Sequence, residues 1–386
     1  MPIIGFEFAT ANRIVFGPGV ARQLPKMARE FGSHALFVMG RNQERAAPLL
    51  SALETAGVQS VVFRVEGEPT LRMVREGVRA ARNGCDLVLG FGGGSAIDAA
   101  KAIAALSTNS GEPLDYLEVI GRGRALENTP LPFLAIPTTA GTGAEVTRNA
   151  VLGSPEHGVK ASLRSAAMLA RIAIVDPDLT LSLPPGVTAS TGLDALTQLI
   201  EPYVSSRANP LTDLFCREGM KRVSTALVKA FRDGEDRAAR ESMSFASLLG
   251  GLALANAGLG VIHGFAAPLG GTLNAPHGAL CAAVLPHGIA ANIRALRERA
   301  PKHEALRKYG EIARILTGNP QAEPEDAAAW AASLCEQLGT LSLGRHGLDR
   351  SQIGALAEEA ARASSMKANP IPLTKAELIE IAERAA

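Results

Sequence analysis

Apolar, β-rich runs recur through the first half of the chain, at Arg13–Phe16, Ala35–Met39, Ser60–Val65, Asp86–Gly90, Phe133–Ile136 and Ile172–Val175. Helix-like stretches separate the early runs: Val20–Phe31, Gln43–Ala56, Thr70–Asn83 and Ser95–Ala105. Strands alternating with helices predict a parallel sheet covered on both faces. The run LVLGF at 87–91 is apolar throughout, as a strand buried on both sides should be. After Pro184-Pro185 the pattern changes, and long Ala/Leu/Arg/Glu stretches continue to the C-terminus. The pattern predicts an α/β domain over 1–184 and an all-helical domain over 185–386, with GNPQAEPE at Gly318–Glu325 as a loop inside the helical half.

A length of 386 residues exceeds one ordinary core, in keeping with two domains. The chain is 47% hydrophobic and 20% charged, as globular proteins are, and its net charge of +1 marks no polyanionic partner. No basic run with interleaved aromatics is present, so nucleic acid is not an expected partner. The opening MPIIGFEFATANRIVFG lacks the basic and long apolar stretches of a signal peptide. Glycines and an asparagine interrupt the apolar stretch near 250–262, which argues against a membrane span. Cys85, Cys216, Cys281 and Cys335 are far apart and form no CxxC pair, which fits a reduced, cytoplasmic chain.

Two loops invite a nucleotide. The strand DLVLGF runs into Gly92-Gly93-Gly94-Ser95, followed by a helix, AIDAAKAIA. A glycine-rich turn lets a phosphate approach the backbone, and a helix N-terminus offers free N–H groups and partial positive charge. The spacing is neither GxGxxG nor a Walker loop, and a simple strand–helix turn would read the same way. A second loop, PTTAGTGAE at 137–145, follows the next buried strand. Ligands of open α/β sheets bind at that edge, though hydroxyl-rich turns also cap helices.

The helical half carries other chemistry. Three of the seven histidines, His263, His277 and His287, fall in a segment of small and apolar residues broken by glycine and proline, so they can fold back toward one another. Buried imidazoles need partners. Asp194 and Gln198 are i and i+4 on a predicted helix and share a face. A carboxylate with His263 and His277 makes a plausible set for zinc or iron(II), although a helix-face acid and a hydrogen-bonded core histidine are the commoner fates of such residues.

Taken together, these segments resemble the iron-containing alcohol dehydrogenase family, within the dehydroquinate synthase-like superfamily. The resemblance rests on RIVFGPG at 13–19, GGGSAIDAAKAIA at 92–104, IPTTAGTGAEVT at 136–147, IVDPDLTLSLPP at 174–185, GLDALTQLIEPYVS at 192–205 and HGFAAPLGGTLNAPHGALCAAVLPH at 263–287. It implies an N-terminal dinucleotide-binding α/β domain, an all-α C-terminal domain, and a nicotinamide cofactor and divalent metal in a cleft between them. Carried over residue by residue, Gly93, Gly94 and Ser95 would take the pyrophosphate, with Asp98 in the same motif. Thr138, Thr139 and Thr142 would line the cofactor, with Lys160 reaching toward it. Asp194, Gln198, His263 and His277 would hold Fe2+ or Zn2+. His263 and His277 are the expected catalytic residues, and His277 is one route for the alcohol proton beside solvent and the ribose hydroxyl. The resemblance further implies a homo-oligomer acting on a small alcohol or aldehyde.

This chain departs from the family at three places. Gln198 stands where the family usually has histidine, and a neutral amide oxygen is a weaker transition-metal ligand than imidazole. Ala267 stands where a histidine is common, removing a proton-relay group. After ALFVM come Gly40-Arg41-Asn42 in place of the acid that often bonds the adenosine ribose, so NADP is an expected cofactor alongside NAD, with Arg41 free to pair with a 2′-phosphate. Rival readings are a metal-independent maleylacetate reductase, a lyase of the dehydroquinate synthase type, and a non-catalytic relative.

Overall fold

The computed structural model describes residues 5–157, 159–273 and 275–386. The chain forms two units, one of residues 9–139 and 143–181, the other of residues 5–8, 140–142 and 182–386.

The first unit is the alternating α/β half. Its strands are β1 (Arg13–Phe16), β2 (His34–Met39), β3 (Gln59–Arg64), β4 (Leu87–Gly92), β5 (Phe133–Pro137), β6 (Asn149–Ser154), β7 (Val159–Arg164) and β8 (Ile172–Val175). Between the early strands run α1 (Leu24–Arg29), α2 (Ala47–Thr55), α3 (Leu71–Arg82) and α4 (Gly94–Ser107). Six strands make a sheet in the order β1-β8-β5-β4-β2-β3, every pair parallel. The period of two sorts its side chains. Phe37, Met39, Leu87, Leu89, Leu134 and Ile136 join Leu24, Met27, Leu49 and Leu53 from α1 and α2 in one core. On the other face Gly90 admits α4, because a Cβ there would lie 2.8 Å from the Ala100 methyl. β4 is therefore buried along its whole length, as its unbroken apolar run predicts.

The β6–β7 hairpin is an addition to the sequence reading. It pairs antiparallel outside the main sheet, Asn149 opposite Arg164 and Ser154 opposite Val159. Its alternation is masked because small and polar residues (Ala150, Ser154, Ala161) occupy buried positions where larger apolar ones would announce a strand. Lys101 anchors this region: its buried ammonium donates to Ala144 O, Thr147 Oγ1 and Asn149 O at 2.7–3.0 Å.

The second unit is helical from Pro185 on: α5 (Pro185–Val204), α6 (Pro210–Arg232), α7 (Arg237–Ala257), α8 (Val261–Thr272), α9 (His277–Arg299), α10 (Glu304–Thr317), α11 (Pro324–Gln337), α12 (Ile353–Arg362) and α13 (Lys375–Ala385). Pro185 opens α5 at the first helical position, where its missing N–H costs nothing. From Gly192 to Val204 every residue of α5 is buried, and α6, α7, α9 and α10 pack around it. A helix surrounded on all sides should be apolar all round. The exceptions on α5 are the residues that make the site.

Candidate metal centre and nucleotide-binding loop

Asp194, Gln198 and Glu201 are buried polar side chains of α5 at i, i+4 and i+7, on one face. Thr197 is also buried, but its hydroxyl bonds the Leu193 carbonyl of its own helix. Glu201 closes the start of α8. Its Oε1 accepts the Ile262 N–H at 2.6 Å, and its Oε2 bonds His263 Nδ1, also at 2.6 Å. A carboxylate at a helix N-terminus is favoured by the unpaired N–H groups and the dipole. Here the same group fixes the imidazole: with Nδ1–H donated to Glu201, His263 presents the lone pair of Nε2. That Nε2 lies 3.4 Å from Asp194 Oδ1.

α9 brings the other imidazole. Gly278 packs on α5 so closely that a Cβ would sit 2.1 Å from the Ser190 carbonyl oxygen. This contact sets His277 beside Asp194, with Nε2 3.8 Å from Oδ1. One turn further along, Cys281 Sγ is 3.7 Å from His277 Nε2. One ligand atom from each of Asp194, His263, His277 and Cys281 falls within 4.8 Å of all the others. His287 does not join them; ten residues beyond His277 on the same helix, it lies with Arg294, Glu380 and Arg384. Ala267 is exposed on α8, one turn after His263.

Electrostatics follow from this geometry. Burial alone would raise the Asp194 carboxyl, but contact with His263 and the charge of His277 hold it below its ordinary value. Burial would likewise lower His263; the negative charges of Cys281 and Glu201 overcome it and lift the imidazole well above the usual range. Cys281 raises His277. The Cys281 thiol, against the opposing effect of burial, is lowered by His277 and then His263. The cluster thus gathers negative charge that protons on the two histidines, or one divalent cation in their stead, would balance.

Three buried atoms decide whether a metal fits. Asp194 Oδ1, Gln198 Oε1 and His263 Nε2 have no hydrogen-bond partner among the described residues. Unmade hydrogen bonds in an interior are costly. Lone pairs of a carboxylate and an imidazole left 3.4 Å apart are what a cation would satisfy, so the residues fit a divalent metal.

The α/β unit carries the other predicted residues. Register sets Met39 beside Phe91 and Gly92 beside Pro137, so β2, β4 and β5 end together. Between β2 and β4 the strand order reverses, the switch point where open sheets take ligands. Gly92 has φ +152°, and a Cβ on it would lie 2.7 Å from the Ala96 methyl and 3.7 Å from the Gly40 nitrogen. Gly93 caps α4 through its carbonyl, and among the described residues no side chain takes the first-turn N–H groups of Gly94 and Ser95. Thr138 is buried and donates its N–H to Gly92 O, and Thr139 lies against Gly93. Arg41 is exposed. Thr142 segregates with the helical unit. Asp98 faces the β6–β7 hairpin: one oxygen accepts the Val151 N–H, and the other is 3.5 Å from Lys101 Nζ. Lys160 is paired with Glu68 at 3.4 Å.

Glu201 and Cys281 are the site residues that the sequence reading missed. Both carried a signal, Glu201 as the third polar residue at helical spacing after Asp194 and Gln198, Cys281 as the i+4 neighbour of His277.

Comparison with known proteins bears on the whole chain. Residues 11–177 match the iron-containing alcohol dehydrogenase family, and residues 188–386 match the Fe-containing alcohol dehydrogenase family, C-terminal. The chain belongs to the iron-containing alcohol dehydrogenase family. Among its relatives, Alcohol dehydrogenase 4 of Saccharomyces cerevisiae is 36% identical over 92% of this chain and 88% of that one. A crystal structure of 1,3-propanediol oxidoreductase superposes with a TM-score of 0.92 at 31% identity, covering 99% of this chain and 100% of the other. Sulfoacetaldehyde reductase from Bifidobacterium kashiwanohense, solved in complex with NAD+, gives 0.86 at 30% identity over 98% of each chain. Membership makes this chain an oxidoreductase of the alcohol dehydrogenase type, in a family that uses NAD(P) and iron or another metal. The maleylacetate reductase, lyase and non-catalytic readings are not favoured beside these relatives.

Proposed function

We propose that the chain catalyses reversible hydride transfer between NAD(P) and a small alcohol or carbonyl compound, with a divalent metal held by Asp194, His263 and His277. The observation that carries the assignment is the facing pair of buried, unpartnered atoms, Asp194 Oδ1 and His263 Nε2, 3.4 Å apart. A divalent ion in this site supplies Lewis-acid polarisation of the substrate oxygen, and the nicotinamide carries the hydride. Glu201 holds His263 in the tautomer that offers Nε2. Gln198 bonds the Asp194 carboxylate and steadies it. His277, with 37% of its side chain exposed, is the member of the cluster open to solvent; a metal-bound imidazole has no lone pair left for a proton, so we assign the alcohol proton to the ribose hydroxyl or solvent on that side. In the α/β unit the N–H groups of Gly93, Gly94 and Ser95 bind the pyrophosphate, with Gly40, Thr138, Thr139 and Thr142 lining the cofactor. Asp98 and Lys160, both engaged with protein partners, act by holding the hairpin and its approach.

Arg41 follows β2 where an acid would repel a 2′-phosphate, and we read NADPH as the preferred cofactor. Arg41→Ala should raise the KM for NADPH several-fold and leave NADH unchanged; equal effects on both would remove Arg41 from the site. The chain is read as a homo-oligomer of the reducing cytoplasm, its cysteines all free. The test of the whole reading is metal content of the purified protein, with NADPH oxidation against a panel of small aldehydes before and after chelation. About one metal per chain and aldehyde reduction lost on chelation are expected. Turnover indifferent to chelation would overturn the metal assignment.

A further inference from the structure

The ligand set has a gap, because Gln198 offers only a neutral amide where a fourth strong ligand is expected. We propose that the Cys281 thiolate fills it, so that the centre is Asp194, His263, His277 and Cys281, and its ion is of the zinc class. The inference rests on the metal reading above.

Distances carry it first. Donors about 2.0–2.3 Å from a tetrahedral zinc stand about 3.3–3.8 Å from one another. Here Asp194 Oδ1 is 3.4 Å from His263 Nε2 and 3.8 Å from His277 Nε2, and His277 Nε2 is 3.7 Å from Cys281 Sγ. These fit three of the six edges of such a tetrahedron, and the other pairs lie within 4.8 Å. The unpartnered, buried Asp194 Oδ1 and His263 Nε2 are the independent sign that something is to be bound there. Cys281 is fully buried, with its sulfur facing the two imidazoles. Cys335, by contrast, spends its thiol on the Ala282 carbonyl.

Charge carries it further. Asp194 and one thiolate neutralise a divalent ion within its inner shell, where Asp194 and an amide would leave a buried positive charge. Gln198, hydrogen-bonded to Asp194, is thereby free to serve as an orienting group. A soft thiolate among imidazoles selects zinc over iron(II). Catalytic zinc sometimes expands to five ligands, and that fifth position is the one a substrate would take here.

The test is cobalt(II) titration of the chelated, full-length protein, read by absorption. A thiolate-to-cobalt charge-transfer band in the near ultraviolet, absent from Cys281→Ser and retained in Gln198→Ala, is expected. Zinc affinity should fall more than about 100-fold in Cys281→Ser and about 10-fold in Gln198→Ala, the lower end of what an outer-shell partner is worth. Cobalt bound without the band, or a band that survives Cys281→Ser, would overturn Cys281 as a ligand and leave the metal reading standing. No cobalt or zinc bound by the wild-type chain would remove the metal reading, and this inference with it. The wild-type spectrum decides the matter even where a variant folds poorly.

Discussion

The loop after β4 and the centre on α5, α8 and α9 offer ligands opposite kinds of group. At the loop the donors are backbone N–H groups, and what the sequence must supply is an absence of side chain: no Cβ fits at Gly92, and one at Gly93 would sit 3.3 Å from Thr139. At the centre the donors are side chains from three helices, each held by a contact of its own: Asp194 by α5, His263 by Glu201, His277 by the seat of Gly278 on Ser190. The backbone site is therefore sensitive to added atoms and indifferent to most chemistry. The side-chain site is sensitive to chemistry at each position.

The sharpest way to break this contrast is His263→Ala. Removing one strong ligand should empty the centre and lower kcat/KM about 10³-fold, the loss of several kcal/mol of Lewis-acid stabilisation. Elemental analysis with steady-state kinetics checks it, while nucleotide affinity should stay within a factor of about two, since nothing at the loop has changed. Metal retained in this variant would mean the side chains are interchangeable after all.

Next in size is a charge behind the loop. Glu145 is buried, and burial raises its carboxyl from an ordinary 4.5 to about 7. Its neutral form favours folding fully below the unfolded value, and that contribution is lost as pH rises through about 7. The loss amounts to at most about 3 kcal/mol. Glu145→Gln should flatten the fall of Tm between pH 5 and 8; an unchanged slope would place the titration elsewhere.

Glu201→Gln sharpens the comparison from the other side. The amide can still accept from Ile262, so α8 keeps its cap, but the oxygen that accepts from His263 Nδ1 is replaced by a donor. Metal affinity should drop 10- to 100-fold, roughly the value of an outer-shell partner, with Tm little changed. Competition with a chelator of known affinity would measure it; an effect on Tm alone would reduce Glu201 to a helix cap.

Smallest is Gly93→Ala. With φ −76° the backbone accepts alanine, so the cost falls on the ligand: a methyl group in the approach to the N–H groups should weaken NADPH binding about 10-fold, one charge-assisted hydrogen bond. Fluorescence titration checks it, and unchanged affinity would show that the pyrophosphate does not lie on this turn.

The same contrast explains what could be read in advance. The strand, glycine turn and helix around Gly92–Ser95 were legible because they are consecutive in sequence. The parallel sheet was legible for a similar reason, as alternation is local. The metal centre was not legible from spacing: Asp194 and His277 are brought together by the seating of α9 on α5, a packing event with no local trace. The residue types offered Asp194, His263 and His277 as one weak candidate set, and resemblance to the family singled it out. Resemblance also drew attention to position 198 and away from Cys281, because it directs the eye to ligands the family has. The β6–β7 hairpin escaped because three of its five buried positions hold Ala or Ser, too small to mark a strand.

One carboxylate has a consequence for how the centre is filled. Glu201 is bound to the first turn of α8 and to His263 at once, so the orientation of that ring is decided when the helix begins, as the chain folds. An arriving ion meets a ring already arrested and has little left to order. Small zinc domains gather their ligands only around the metal and fall apart under chelation. This chain should instead persist as a folded apoprotein, emptied and refilled without unfolding, so that which enzyme it is at a given moment depends on the ions its surroundings supply.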